Sequence, residues 1–577
     1  MNPSLITSLG YVRVASIAPV VTVADVEANV EEIIRRAEQA VAEAVDVAVF
    51  PELCITGYTC GDLFMHPDLL SGALRGLDRL RRWSAGVPML LVVGMPLEVS
   101  GRLFNTAVVL RDGHILAAIP KTHLPNTNEF YDRRRFASAL DADDGTVRIG
   151  DADVLFGADL LLADAADPAL MMGVEICEDL WSVEPPSGSL ARLGATLLVN
   201  CPASNETIGK AAYRRDLVRL QSARTYAAYV YASAGPTEST TDTVFGGYAI
   251  VAECGDVLAE SDRCLLDGTM IVADVDLRRC LRERLNGTSW SAEIAADTVR
   301  VIETTLVRTV KDDVRRRIDP HPFVPAGSAD RAERCREIIN IQATGLAVRV
   351  RRSRARTMVV GLSGGLDSTL ALLVCLRSAR TLGLPPSSIL AVSMPGLGTT
   401  DRTRTNAERL AAALGVDFRT IPITDAVMTH FRDIGHDPSD TSIVYENAQA
   451  RERTQILMDL ANGCGGIVVG TGDLSEIALG WSTYNADHMS MYNPNGGVPK
   501  TLVRHLIAWF ADEAGGEAAS VLRDILDTPI SPELLPTGAN GEIAQRTEDV
   551  LGPYEVHDFF LYRFVRLREP VSTIAVL

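Results

Sequence analysis

Met358-Val359-Val360-Gly361-Leu362-Ser363-Gly364-Gly365-Leu366-Asp367-Ser368-Thr369-Leu370 is the stretch on which the reading of this chain turns. A short apolar run of strand type meets a Ser-Gly-Gly turn, and Asp367 to Arg380 then shows the apolar spacing of a helix. Such a layout presents free backbone N–H groups and the positive end of a helix dipole to an anion. No Lys precedes Ser368 as in the commoner phosphate loop, and glycines serving tight packing alone would give the same pattern.

Outward from that loop, helical spacing at Ala332 to Val350 leads in. Strand-like and helical segments alternate after it: Ile389 to Ser393, Asn406 to Leu414, Phe418 to Ile421, Gln449 to Asn462, then Gly466 to Gly470. This predicts an α/β fold with a doubly wound parallel sheet, its ligands at the carboxyl ends of the strands. Two acids near a phosphate loop, Asp367 and Glu476, are metal candidates, because Mg²⁺ takes a few carboxylates plus phosphate oxygens and water. Asp367 can instead merely cap its helix, and the two roles can coexist. Lys500 is a candidate phosphate cation or an ordinary solvated lysine, and Asp473 and Asp487 read as supporting residues.

The N-terminal half alternates in the same way. Strand-like runs occur at Val12 to Ser16, Val45 to Val49, Met89 to Val93, Thr106 to Leu110, Ile115 to Ile119, Met171 to Ile176, Ala195 to Val199 and Ala228 to Ala232. Val26 to Ala44 reads as an amphipathic helix. Three strand ends carry chemistry: Glu52 in Phe50-Pro51-Glu52-Leu53, Lys121 after Ile119-Pro120, and Cys177 in Glu175-Ile176-Cys177-Glu178-Asp179. Each has an ordinary explanation, as helix cap, rim lysine and small buried hydrophobe.

With 577 residues the chain exceeds one hydrophobic core. We divide it into a first domain over 1–282, a polar then Pro-rich linker over 283–326, and a second domain over 327–577. A net charge of −19 argues against a general nucleic-acid or membrane-surface binder. No apolar run is long enough to span a bilayer, and Met1 to Val14 has no basic segment followed by an apolar core. Ten scattered cysteines without a Cys-x-x-Cys pair suit reduced thiols and a cytoplasmic location.

Ser363-Gly364-Gly365-Leu366-Asp367-Ser368 resembles the pyrophosphate loop of ATP pyrophosphatases. Together with Tyr445 to Arg451, Gly470 to Glu476, Trp481 to Tyr484 and Pro499-Lys500-Thr501, it is similar to the glutamine-dependent NAD synthetases. Glu52, Lys121 and Cys177, with the residues around them, resemble the triad of the nitrilase (carbon–nitrogen hydrolase) superfamily, and so an α-β-β-α sandwich. The resemblance implies ATP-dependent amidation of deamido-NAD through an adenylate, with nitrogen from glutamine. It implies a thiol nucleophile at Cys177, a base at Glu52 and an oxyanion-stabilising amine at Lys121.

For glutamine the resemblance implies Tyr58, Glu178, Ser204 and Lys210. For ATP it implies Gly361, Leu362, Ser363, Gly364, Gly365, Leu366, Asp367, Ser368 and Thr471, and for deamido-NAD Asn447, Glu476, Trp481, Ser482, Thr483 and Tyr484. Mg²⁺ on Asp367 and Glu476, and a homo-oligomer (octamers occur in relatives), come with it. Glu238-Ser239-Thr240-Thr241-Asp242 and Phe245-Gly246-Gly247 extend the match. Thr127 stands where the family has Tyr, Pro202 and Asn205 break its Asn-x-Ser-x-Ser-Pro pattern, and family members run on past Leu577 with a site-closing Lys. Two alternatives follow: a synthetase fed by free ammonia, or a nucleotide-binding scaffold without turnover.

Overall fold

The computed structural model describes residues 3–142, 145–238, 243–290, 299–306, 309–325, 328–486, 488–531, 534–536 and 547–577. Residues 239–242 and Asp487, singled out above, lie outside these. The chain forms two compact units, one of residues 1–318 with the last three residues, the other of residues 319–574.

The first unit is a sandwich of two sheets. In chain order, the eight-stranded sheet is built from Val12–Ala18, Val47–Val49, Leu90–Val99, Arg102–Arg111, His114–Pro120, Thr146–Ile149, Ala152–Phe156 and Thr269–Val275. Val12, Val14, Val49 and Val92 from this sheet pack with Leu162, Val174, Val199 and Val230 from the seven-stranded one. On the outer face of the first sheet, Val30, Ile33 and Ala37 of the helix Val26–Ala42 and Leu77 and Leu80 of Pro67–Trp83 pack on Ala15, Ile17, Ala48 and Leu91. Leu190 and Val218, from the helices Pro186–Arg192 and Lys210–Thr225, cover the outer face of the other. Central strands such as Val12–Ala18 and Leu197–Asn200 are therefore buried along their whole length, which is why they are mostly apolar and show no alternation of buried with exposed residues.

This unit runs beyond residue 282. Arg300–Thr304 adds a parallel strand beside Leu160–Asp164. Downstream, Lys311 pairs with buried Asp46 at 3.0 Å, and Arg316 with buried Glu253 at 3.0 Å. Polar residues read from sequence as a linker are thus the counter-ions of acids inside the unit. Helix-spaced charge would have been visible in sequence; partners some 60 to 265 positions away are not.

The second unit holds a four-stranded, all-parallel sheet in the order Asp417–Thr420, Ile389–Ser393, Met358–Gly361, Ile467–Val469. Chain order reverses between Met358–Gly361 and Ile467–Val469, so the loops leaving those two strands open the crevice typical of doubly wound sheets. Leu366–Leu382, Ser328–Ser353, Lys500–Ala514 and Gly516–Leu526 contribute to the core on one face, and Thr424–Ile434 and Ile443–Cys464 to the core on the other. Among the described residues no helix is long and apolar enough to cross a membrane.

Gly94 shows how tightly the first unit is closed around the strand end that carries Glu52. A Cβ there would lie 2.2 Å from the Leu53 nitrogen and 2.5 Å from the Glu52 Cα. Gly94→Ala must therefore push the Glu52 segment aside, and is expected to destabilise the first unit by about 1–3 kcal/mol. Urea unfolding of the variant against the parent measures this, and a change within about 0.5 kcal/mol contradicts it.

Candidate active sites

Glu52 follows the strand Val47–Val49, Lys121 ends the neighbouring strand set at His114–Pro120, and Cys177 follows Met171–Glu175 of the opposing sheet. The sandwich brings all three into one buried cluster. Lys121 Nζ lies 2.8 Å from Glu52 Oε2, and Glu52 also interacts with the Cys177 thiol. The second Glu52 oxygen accepts the Ala203 N–H at 2.6 Å, and Asn105 donates to Oε2 at 2.6 Å. Cys177 sits at φ +49°, a left-handed conformation that few side-chain-bearing residues adopt.

Lys121 has a second anion that sequence reading did not find. Asp132 Oδ2 is 2.8 Å from Nζ, while Asp132 Oδ1 accepts the Tyr58 hydroxyl at 2.8 Å. In sequence Asp132 opens an arginine run, Arg133 to Arg135, that looks like a solvated face. Burial opposes the Lys121 charge, but Asp132 and Glu52 outweigh it and hold the amine firmly protonated. Burial and the adjacent Glu52 push the Cys177 thiol well up, with Lys121 pulling it down. Burial also raises the Glu52 carboxyl, making it a better proton acceptor than an exposed glutamate. Passing the thiol proton to Glu52 only relocates one negative charge beside a fixed ammonium, so no net charge is created in the dry pocket.

The expected glutamine contacts surround this cluster unevenly. Tyr58 is anchored by Glu238, whose buried carboxylate accepts the Tyr58 N–H at 2.8 Å. Glu178 is half-buried and raised by that burial, with Lys121 and Lys210 pulling the other way. Ser204 is buried and donates its N–H to Ser233 Oγ at 3.3 Å. Lys210 Nζ stands 5.7 Å from the Phe130 ring centre and 5.3 Å from that of Trp181. Asn205, a departure from the family pattern, hydrogen-bonds both Glu129 and Lys210. Thr127 is exposed.

In the second unit the turn after Met358–Gly361 is built as the sequence implied. Leu362 N–H bonds Val392 O at 2.9 Å, Ser363 and Ser368 hydroxyls meet at 3.1 Å, and Gly365 N–H bonds Ser363 Oγ at 3.2 Å. Gly364 has φ +87°, and a Cβ on it would lie 2.3 Å from Thr403 O. The helix Leu366–Leu382 starts at Gly365 with no side-chain cap, leaving its N-terminus to an incoming anion.

Beside it, ligand oxygens of Asp367, Asp473 and Glu476 lie within 4.8 Å of one another. Lys500 is neither exposed nor a free phosphate lysine: it is buried, with Nζ 2.7 Å from Asp367 and Asp473 and 2.8 Å from Glu476. Asp473 joins the cluster directly. Burial pushes the Glu476 carboxyl up to about 8 and Asp473 up to about 7, Lys500 countering both. Two further residues went unnoticed in sequence. Buried Asn495 donates to the carbonyls of Asp367 at 3.0 Å and Thr471 at 3.2 Å, tying the two loops together. Asp558 accepts from Ser475 and from the Thr501 N–H at 2.9 Å. Asn447 sits half-exposed on Ile443–Cys464, with no hydrogen bond from its side chain to the cluster among the described residues. The Trp481 N–H donates to the Glu476 carbonyl at 2.9 Å, while Ser482 and Tyr484 are exposed.

The family described as carbon-nitrogen hydrolase matches residues 12–282, and that described as NAD synthase matches residues 338–575. A glutamine-dependent NAD(+) synthetase of Mycobacterium tuberculosis (strain ATCC 25618 / H37Rv) is 43% identical over 581 residues, covering 98% of this chain and 85% of its own. The chain belongs to the glutamine-dependent NAD(+) synthetases. A member from Mycobacterium leprae (strain TN) is 42% identical over 583 residues, covering 99% of this chain and 85% of its own. A crystal structure of a glutamine-dependent NAD(+) synthetase from Cytophaga hutchinsonii covers 97% of this chain and 87% of that one, at 22% identity and a TM-score of 0.41. Both halves of a synthetase of this family are thus present in one chain, and each carries a lysine locked among acids.

The Lys500 cage makes a signed prediction. Carboxyls whose folded pKa exceeds the unfolded value bind more protons when folded, so their contribution to stability falls as pH rises. Lys500→Met leaves three acids without their ammonium, and should cost about 3–5 kcal/mol at pH 8. The loss should shrink at pH 6, where protons replace the ammonium. Denaturant unfolding at both pH values checks this; an equal loss at each contradicts it.

Proposed function

We propose that the first unit hydrolyses glutamine through Cys177 and the second amidates deamido-NAD with the ammonia released. Cys177 attacks the side-chain amide carbon as Glu52 takes the thiol proton, and the Lys121 ammonium faces the oxyanion. Collapse of the tetrahedral intermediate expels ammonia, with Glu52 returning the proton to it. A thioester on Cys177 remains. Glu52 then removes a proton from water, and the resulting hydroxide attacks the thioester carbon. The Cys177 thiolate departs and takes that proton back from Glu52, and glutamate leaves. The observation that carries this reading is the convergence of Glu52, Lys121 and Cys177 in one buried pocket.

In the second unit, ATP binds at the Gly361 to Ser368 turn and Thr471. The deamido-NAD carboxylate attacks the α-phosphorus, pyrophosphate departs, and ammonia then displaces AMP to give the carboxamide. We assign deamido-NAD to Asn447, Glu476 and Trp481 to Tyr484. Asp367, Asp473 and Glu476 fit Mg²⁺ as hard oxygen donors, and Asp367 Oδ1 is buried without a hydrogen-bond partner among the described residues. Bound there, the ion would neutralise phosphate charge. All ten cysteines are free, which suits a cytoplasmic enzyme; a homo-oligomer is expected on resemblance to the family.

Cys177→Ala is expected to abolish NAD formation from glutamine, a drop of more than about a thousandfold, while formation from ammonium salt stays within about twofold. Pyrophosphate release with deamido-NAD and each nitrogen source measures it. Equal loss with both sources, or survival of the glutamine reaction, refutes the division of labour.

A further inference from the structure

Behind the nucleophile lies a buried chain of polar groups that the reaction above does not use. The Cys177 N–H donates to Asn200 Oδ1 at 2.8 Å. The other end of that amide, Nδ2, donates to the Tyr229 hydroxyl at 3.0 Å. Tyr229 in turn donates to Glu175 Oε1, and Glu175 Oε2 accepts the Ser187 N–H at 2.8 Å. Gln221 Nε2 holds the Ser187 hydroxyl at 2.8 Å, which ties the far end to the helix that begins at Lys210.

Three neighbouring strands supply the chain. Asn200 stands opposite Glu175 in the parallel pairing of Leu197–Asn200 with Met171–Glu175, and Tyr229 comes from the next strand, Ala228–Ala232. All three side chains are sealed from solvent, with Asn200 and Tyr229 at 0% exposure and Glu175 at 2%. Water cannot substitute for a lost partner there.

With Glu175 ionised, the chain has one sense. Backbone N–H groups terminate it at both ends, and an N–H can only donate. Glu175 must therefore accept from Ser187, and it offers its other oxygen to Tyr229. Tyr229 spends its single proton on Glu175 and is left with oxygen lone pairs, so Asn200 must turn its NH₂ towards it. That orientation leaves Oδ1, and not the NH₂, facing Cys177. An amide whose orientation is otherwise ambiguous is thus decided by its surroundings.

We propose that Glu175, Tyr229 and Asn200 are positioning residues that hold the Cys177 backbone in its left-handed turn and so aim the thiol at Glu52. A φ of +49° at a cysteine needs support from outside the residue, and the Asn200 acceptor supplies it. Flipping that amide would set NH₂ against N–H and release the turn. The inference rests on the reading of Cys177 as nucleophile.

Tyr229→Phe keeps the ring and deletes the hydroxyl, freeing the Asn200 amide to rotate. Expected is a fall of about tenfold or more in kcat for glutamine hydrolysis, with KM within twofold and ammonium-fed NAD formation at the parental rate. Iodoacetamide capture of Cys177 slows in parallel. The comparator is Tyr226→Phe, just before the opposite end of the same strand, whose ring packs edge-on against Trp290; it should stay within twofold on every measure. If Tyr229→Phe does not fold, Glu175→Gln, which reverses one link of the chain at constant shape, is read in its place with the same expected fall. Parental kcat in the variant, a KM rise at constant kcat, or equal losses in both tyrosine variants or with both nitrogen sources overturns the proposal. Were Cys177→Ala itself to keep glutamine turnover, the nucleophile reading would fall instead.

Discussion

Both chemical centres depend on an ammonium group taken out of water and held by carboxylates. Lys121 is fully buried between Glu52 and Asp132, and Lys500 is buried among Asp367, Asp473 and Glu476. Removing an ion from water costs several kcal/mol even after relaxation, so neither lysine would be tolerated unpaired. In the first centre two acids share one cation, so one negative charge is left in excess. Burial first, and the Asp132 charge after it, make the Glu52 carboxyl receptive to a proton. In the second, three acids exceed one cation by two charges, which favours either protons or a divalent cation.

The sheets explain why these groups meet. Parallel strands leave their carboxyl ends on one edge, where side chains from successive strands can converge. Glu52, Lys121, Cys177 and the Ser363 to Ser368 turn all occupy such places. Glycine permits the closest approaches: Gly94 lets Glu52 lie against its strand, and Gly364 lets the turn press on Thr403. Rigidity follows from burial of entire strands on both faces, which gives the side chains at these strand ends little room to wander.

Much was legible in the sequence. Apolar runs ending in Glu52, Lys121 and Cys177 located three strand ends, and the helix Leu366–Leu382 begins within one residue of where its apolar spacing starts. Asp132, Asn495 and Asp558 were not legible as parts of a site, and Glu238 was visible only within a stretch that extends the family match. Each acts through a partner far along the chain, such as Asp558 on Thr501 or Glu238 on Tyr58, and no local period or motif marks a distant pair. Lys500 was visible as a residue but not as a caged one, because burial is a property of the surrounding fold.

Local order, then, is what the sequence determines by itself: side-chain periodicity sets strands and helices, and glycines set the turns. The tertiary structure alone decides which charges are desolvated together, and hence which protons are mobile. Electrostatic energy depends on separation in space and on the local dielectric, and neither quantity is a function of position along the chain.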